Sequence, residues 1–174
     1  MAEDLAPKYN PRLTTGGTKA ADSAGNLTNN KYENRNWPER KIENTNKNTI
    51  IAFSDGKFKS IFISAKEKRE IQKFFRRIGK PKIFIYKVFA ILVFLLIKSE
   101  VKEIDAIIID EEYPGKNSLI KNFLLQEIRK IKPDFDRGNI IFQKIGKKSR
   151  AHFLAYGIAV GKKKPILKLG REKF

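Results

Sequence analysis

The sequence predicts a mixed α/β domain with an N-terminal hairpin, parallel central strands and flanking helices. Three observations lead there. Two β-rich runs surround Asp55-Gly56, and the second half of the chain reads strand, helix, strand, helix. At about Thr49 the composition also changes from Asn/Thr/Gly/Lys-rich to regularly apolar, which places the domain over residues 49–174. Residues 1–48, including LTTGGTKAADSAGNLTNN and KIENTNKN, read as a disordered tail or linker, with Trp37 a stray aromatic within it.

Each element has a local cause. Thr49–Ser54 and Lys59–Ser64 are strand-like, and the Asp-Gly pair between them is what a tight hairpin turn demands. Ser64-Ala-Lys-Glu67 is a capping box, opening a helix that runs to about Ile78 and stops at Gly79-Lys-Pro81. Its apolar stripe is Ile71, Phe74, Phe75 and Ile78, opposite a Lys/Arg-rich face. Lys82–Ser99 holds no turn residue and is apolar nearly all round, so it predicts a buried helix, with an initial strand at Lys82–Lys87 as the alternative. Its apolar part, Ile83–Ile97, is 15 residues interrupted by Lys87. That is short of the roughly 20 residues a membrane span needs, and no membrane contact is expected.

Ile104–Asp110 is apolar on both faces apart from Asp105, as a central strand covered on both sides should be. Asn117–Lys132 is an amphipathic helix through Ile120, Phe123, Leu124, Ile128 and Ile131, capped by Asn117 or Ser118 and ended by Pro133. Asn139–Ile145 predicts a strand. Ser149–Val160 predicts the last helix, with Ser149 as N-cap and Gly161 as its stop. The strand–helix–strand order implies a parallel pair joined by a right-handed crossover.

Charge narrows the partner. The chain carries 37 Lys and Arg against 19 Asp and Glu, a net charge of +18. Residues 49–174 hold 29 of those basic residues and 13 of the acidic ones, so the positive field belongs to the domain. Such a field attracts polyanions, of which nucleic acid is the commonest. There are no cysteines, which excludes disulfides and thiolate metal sites and suits a cytoplasmic setting. One histidine without cysteine cannot build a zinc finger. Gly-rich phosphate loops and a serine nucleophile elbow are absent from the sequence.

Against this basic background the strand Ile104–Asp110 ends in Asp110-Glu-Glu112-Tyr-Pro-Gly115. In open α/β sheets, sites lie beyond the carboxyl ends of the strands. Asp110 and Glu112 share parity there, and carboxylate oxygens are what a hard cation such as Mg²⁺ or Mn²⁺ takes. Glu111 reads as solvated. His152, the only histidine, falls in the first turn of the last helix, where Ala151, Ala155 and Ala159 allow close packing on a sheet. A neutral imidazole can ligate metal or relay a proton. Lys147, Lys148 and Arg150 at the helix entrance, with Lys116 after the strand tip, are candidate phosphate contacts. Glu100-Val-Lys102 has the spacing of a restriction-type Glu-x-Lys core but precedes the strand.

The strand ending IIIDEEYPG, followed by an amphipathic helix, a strand and KKSRAHFLAYGIA, resembles the RNase H-like superfamily of nucleases over roughly residues 49–160. The Ala-His-x-x-Ala pattern is similar to that of its Argonaute-type members. The resemblance implies an RNase H-like mixed sheet opening on three antiparallel strands, of which two are evident in the sequence. It implies two divalent cations held by a first-strand Asp, a central-strand Asp and a last-helix acid or His. Here these are Asp55, Asp110 and His152, with Glu112 as a helper. The implied activity is metal-dependent cleavage of DNA or RNA. The alternative is a basic nucleic-acid-binding protein on a degenerate nuclease fold.

Overall fold

A mixed sheet with the strand order β5-β4-β1-β2-β3-β6 organises the computed structural model, which describes residues 12–15, 41–55, 57–144 and 150–169. In chain order the elements are β1 (Arg12–Thr15), β2 (Thr49–Asp55), β3 (Lys57–Ile63), α1 (Ala65–Arg77), α2 (Phe84–Ile97), β4 (Ile107–Asp110), α3 (Asn117–Ile128), β5 (Ile140–Gln143), α4 (Arg150–Ala159) and β6 (Leu167–Lys168). Strands β1, β2 and β3 pair antiparallel in succession, while β4 runs parallel to both β1 and β5. Strand β6 adds a parallel edge to β3. Among the described residues no helix is long and apolar enough to cross a membrane.

Strand periodicity divides the core in two. Ile51 and Phe53 of β2, Ile61 and Ile63 of β3, and Ile107 and Ile109 of β4 turn to one face and join the large cluster with α1, α2 and α3. Ile50 and Ala52 of β2 turn to the other face, where they pack with Ala151, Leu154, Ala155 and Ile158 of α4. Helix α2 lies at the centre of the first cluster. Nine of its 14 residues are buried, so it has no solvent face of ordinary width and must be covered from every side.

The helix signals act as expected at α1. The Ser64 side chain accepts from the Glu67 N–H at 3.1 Å, and Glu67 accepts from the Ser64 N–H at 2.8 Å. At α3 the cap differs from expectation. Lys116 occupies the N-cap without a side-chain bond, because Asn117 donates to Glu111 and the Ser118 hydroxyl accepts from Arg137. Ser149, expected to cap α4, lies outside the described residues. Helix α4 ends at Ala159, and Gly161 just beyond it takes a φ of 77°, open to glycine at little cost. The alternative of a strand at Lys82–Lys87 is not realised: Pro81–Ile83 form one 3-10 turn that runs directly into α2.

The boundary at Thr49 moves. Residues expected to form a tail supply β1, which lies between β2 and β4, and Ile42, which is 1 % exposed in the main cluster. Composition concealed both, since a four-residue strand and one isoleucine leave no period to detect. Trp37 lies outside the described residues.

Lys68 fastens the preceding segment to the domain. It is fully buried in α1, and its ammonium donates to the carbonyls of Lys41 at 2.9 Å and Asn44 at 2.7 Å and to Thr49 Oγ1 at 2.8 Å. The Thr49 hydroxyl in turn donates to the Lys41 carbonyl. Burial lowers the Lys68 pKa to about 8, with the charge of Glu43 opposing the shift. The unfolded chain therefore binds more protons between about pH 8 and the ordinary lysine value near 10.5, and in that window this group makes stability rise with pH. Replacing Lys68 with Met is expected to flatten that rise. It should also lower stability by about 2 kcal/mol, because one buried and two part-buried acceptors lose their donor. Urea unfolding of both proteins at several pH values between 7 and 10 (~0.5-unit steps resolve the ~2.5-unit window) checks both effects.

Candidate functional site

Asp110 ends β4 level with Gln143 of β5. It shares strand parity with Ile108, opposite to Ile107 and Ile109, and so belongs to the face that carries α4. The register follows this level across the sheet. Leu13 pairs with Ile109, so one residue further Thr14 stands beside Asp110, and Thr14 pairs with Ala52. Ala52 packs in the cluster that holds Ala151 and Ala155. His152 follows Ala151 at the start of α4 and is 8 % exposed, with its ring 6.5 Å from that of Phe153. Asp110 thus belongs to the sheet face that carries α4, and His152 is buried at the start of that helix. The two lie on elements 40 residues apart in the chain.

Helix α4 packs on β1, β2 and β3. On the β4–β5 half of this face Ile108 is buried, 6 % exposed, and its β5 partner Ile141 is 40 % exposed. Asp110 is half-buried at the upper corner of that half. Asp110 therefore lies at the carboxyl end of a pair of parallel strands, where sites form in open α/β sheets.

Asp55 does not join them. It was assigned to a first strand, but its strand β2 runs antiparallel to β4, with β1 between the two. Its tip therefore lies at the amino end of β4. Three residues along the strand and two strand spacings across place its Cα roughly 14 Å from that of Asp110. No Asp side chain closes that gap. The residue standing beside Asp110 on the first strand is Thr14, which offers no carboxylate. The Asp55 side chain itself lies outside the described residues, as do Lys147, Lys148 and the side chain of Arg150. Among the described residues no group of three His, Asp or Glu is gathered that could hold a metal ion. Of the set implied by the sequence resemblance, the described side chains are those of Asp110 and His152.

The other candidates are placed by the turn after β4. Glu111 continues the ladder, its N–H donating to the Gln143 carbonyl, and its carboxylate accepts from Asn117 Nδ2 at 2.7 Å. Glu111 is thus held by α3, where the sequence suggested a solvated acid. The Glu112 N–H bonds back to the Asp110 carbonyl, which turns the chain sharply. Tyr113 then packs edge-on against Tyr86 and Phe89 of α2. Its hydroxyl accepts from the Ile42 N–H at 3.3 Å and donates to Glu43 at 3.0 Å. Lys116 is exposed, its ammonium 5.9 Å from the Tyr86 ring centre on the α2 side. Glu100 of the Glu-x-Lys alternative ion-pairs with Lys59 of β3 beyond the end of α2.

No protein-family model, curated protein or solved structure matches this chain.

Tyr113 anchors the residue after Glu112, so its hydroxyl sets where the strand tip ends. Burial and the neighbouring Glu43 carboxylate push its pKa well above the ordinary phenol value. Above about pH 10 the unfolded chain loses this proton while the folded chain keeps it, so stability falls as pH rises. Tyr113→Phe is expected to remove that fall and to cost about 1 kcal/mol at neutral pH, measurable by urea unfolding at pH 7 and by thermal melts above pH 10.

Proposed function

We propose that this protein binds nucleic acid through a basic α/β domain of RNase H-like build. The observation that carries the reading is the charge distribution: 29 basic against 13 acidic residues fall within residues 49–174. Many of the basic side chains are exposed on helices, including Lys66, Arg69, Lys73, Arg76 and Arg77 of α1. A polyanion gains from such a surface by releasing condensed counterions, and no base-specific contact is required for that. The RNase H-like part of the proposal is supported by the order β3-β2-β1-β4-β5, with three antiparallel strands followed by two strands parallel to the first.

A second reading, phosphodiester cleavage, is supported by two placements: Asp110 ends β4 at a corner of the sheet face that carries α4, and His152 is buried at the start of that helix. In that reading the carboxylate and the imidazole are the groups able to orient or deprotonate an attacking water. No step through a metal ion follows from the donors in place. Asp55 is not part of this corner.

One experiment separates the readings. Wild type, Asp110→Ala and His152→Ala are incubated with single-stranded, duplex, hybrid and branched DNA and RNA, with and without Mg²⁺ or Mn²⁺, and both binding and product formation are followed. Binding alone predicts salt-dependent complexes with no cleavage, and Asp110→Ala should bind as tightly as wild type or tighter, since one repulsive charge is gone. Cleavage predicts product in the wild type and a loss of about 100-fold or more in either variant with binding retained. Failure to bind any of these substrates at low salt sinks both readings.

A further inference from the structure

A hollow of about 420 Å³ opens between the start of α3 and the 3-10 turn Arg137–Asn139, within the ~300–1,000 Å³ range of ordinary ligand clefts. Asn117, Ser118, Lys121, Arg137 and Gly138 line it. Two of these are cations and none is an acid. The cations come from different elements: Lys121 stands one turn beyond Asn117 and Ser118 on the same side of α3, and Arg137 reaches across from the turn. Arg137 Nη2 donates to the Ser118 hydroxyl at 2.7 Å, which fixes the guanidinium at the rim and orients that hydroxyl. The two acids nearby are already engaged. Asp136 accepts from the Gly138 N–H, and Glu111 accepts from Asn117.

We propose that this hollow seats a backbone phosphate of the bound nucleic acid. The inference rests on the nucleic-acid reading above and adds a place on the surface to it. A guanidinium has five N–H donors in a planar fork, so the bond to Ser118 leaves donors in the geometry that suits phosphate oxygens. Lys121 adds a compact second charge. The hollow also adjoins the strand tip, because Asn117 is bonded to Glu111, the residue after Asp110. A strand whose phosphate sits between Lys121 and Arg137 therefore passes close to the carboxyl end of β4.

The test is fluorescence anisotropy with end-labelled single-stranded and duplex oligonucleotides, titrated between about 50 and 200 mM salt. Wild type is compared with the double variant Lys121→Gln/Arg137→Gln, with Arg137→Lys, and with Lys98→Gln/Lys164→Gln, two exposed lysines outside the hollow, as a control of equal charge change. Circular dichroism melts establish that each variant is folded. The expected result is about tenfold weaker binding for the double variant, a log–log salt slope smaller by about 1, and an intermediate loss for Arg137→Lys. The control should change affinity by about twofold or less. An equal loss in the control would overturn the inference, since net charge alone would then explain it. So would an unchanged affinity and slope in the double variant while wild type binds. A final arm adds inorganic phosphate at constant ionic strength. Displacement of the oligonucleotide at millimolar phosphate would overturn the assignment to a backbone phosphate in favour of the free ion. If wild type binds no oligonucleotide at all, the broader nucleic-acid reading fails with it.

Discussion

Burial of α2 governs the rest of this fold. Val88, Leu92, Leu96 and Ile97 are all 0 % exposed, and each side chain of this kind is worth about 1.5–3 kcal/mol when taken out of water. An apolar cylinder of that sort cannot sit on a surface. The sheet covers it through β2 and β3, α1 and α3 flank it, and Phe89 and Tyr86 receive Tyr113 from the strand tip. The strand tip is therefore not independent of the core. The same packing that hides α2 pulls the chain after Glu112 down onto it, leaving Asp110 behind on the opposite face. Where the acids point follows from which neighbour the core captures.

Charge sets the other half of the picture. Acids on this protein are few, and several are engaged by named donors: Glu67 in its cap, Glu100 with Lys59, Glu111 with Asn117 and Glu43 with Tyr113. Engaged carboxylates weaken the field of the cations around them only locally, which preserves the long-range attraction for a polyanion. Asp110 is set apart by its place, at the end of a central strand on the face that carries α4. On that face α4 spans β1 to β3, while Ile141 of β5 is 40 % exposed.

Much of the fold was legible in the sequence because long periodic segments speak for themselves. Ile71 and Phe75 announce α1, the unbroken run from Phe84 announces α2, and Ile107–Ile109 announce a strand covered on both sides. The site was legible in part. The apolar run puts Asp110 at the end of a strand and the alanine spacing puts His152 near the start of the last helix, and both positions hold. Asp55 was misplaced because strand direction is a topological property, and the topology depended on β1, four residues of ordinary composition lying in a segment that otherwise reads as linker. Arg137 was missed for a related reason. A lone arginine after Pro133-Asp-Phe-Asp has no pattern, and only the return of the chain to the start of α3 gives it a neighbour.

The knot around Lys68 bears on how this domain can be cut from its chain. A fragment trimmed at the change of composition, beginning at Thr49, would keep the ammonium and discard the two carbonyls that solvate it. It would also lose Ile42 from the core and β1 from between β2 and β4. The lysine would then be a buried cation stripped of most of its shell, in a sheet split into two halves with no strand to join them. A minimal folding unit judged from composition would come apart at the place where it had been trimmed to look compact.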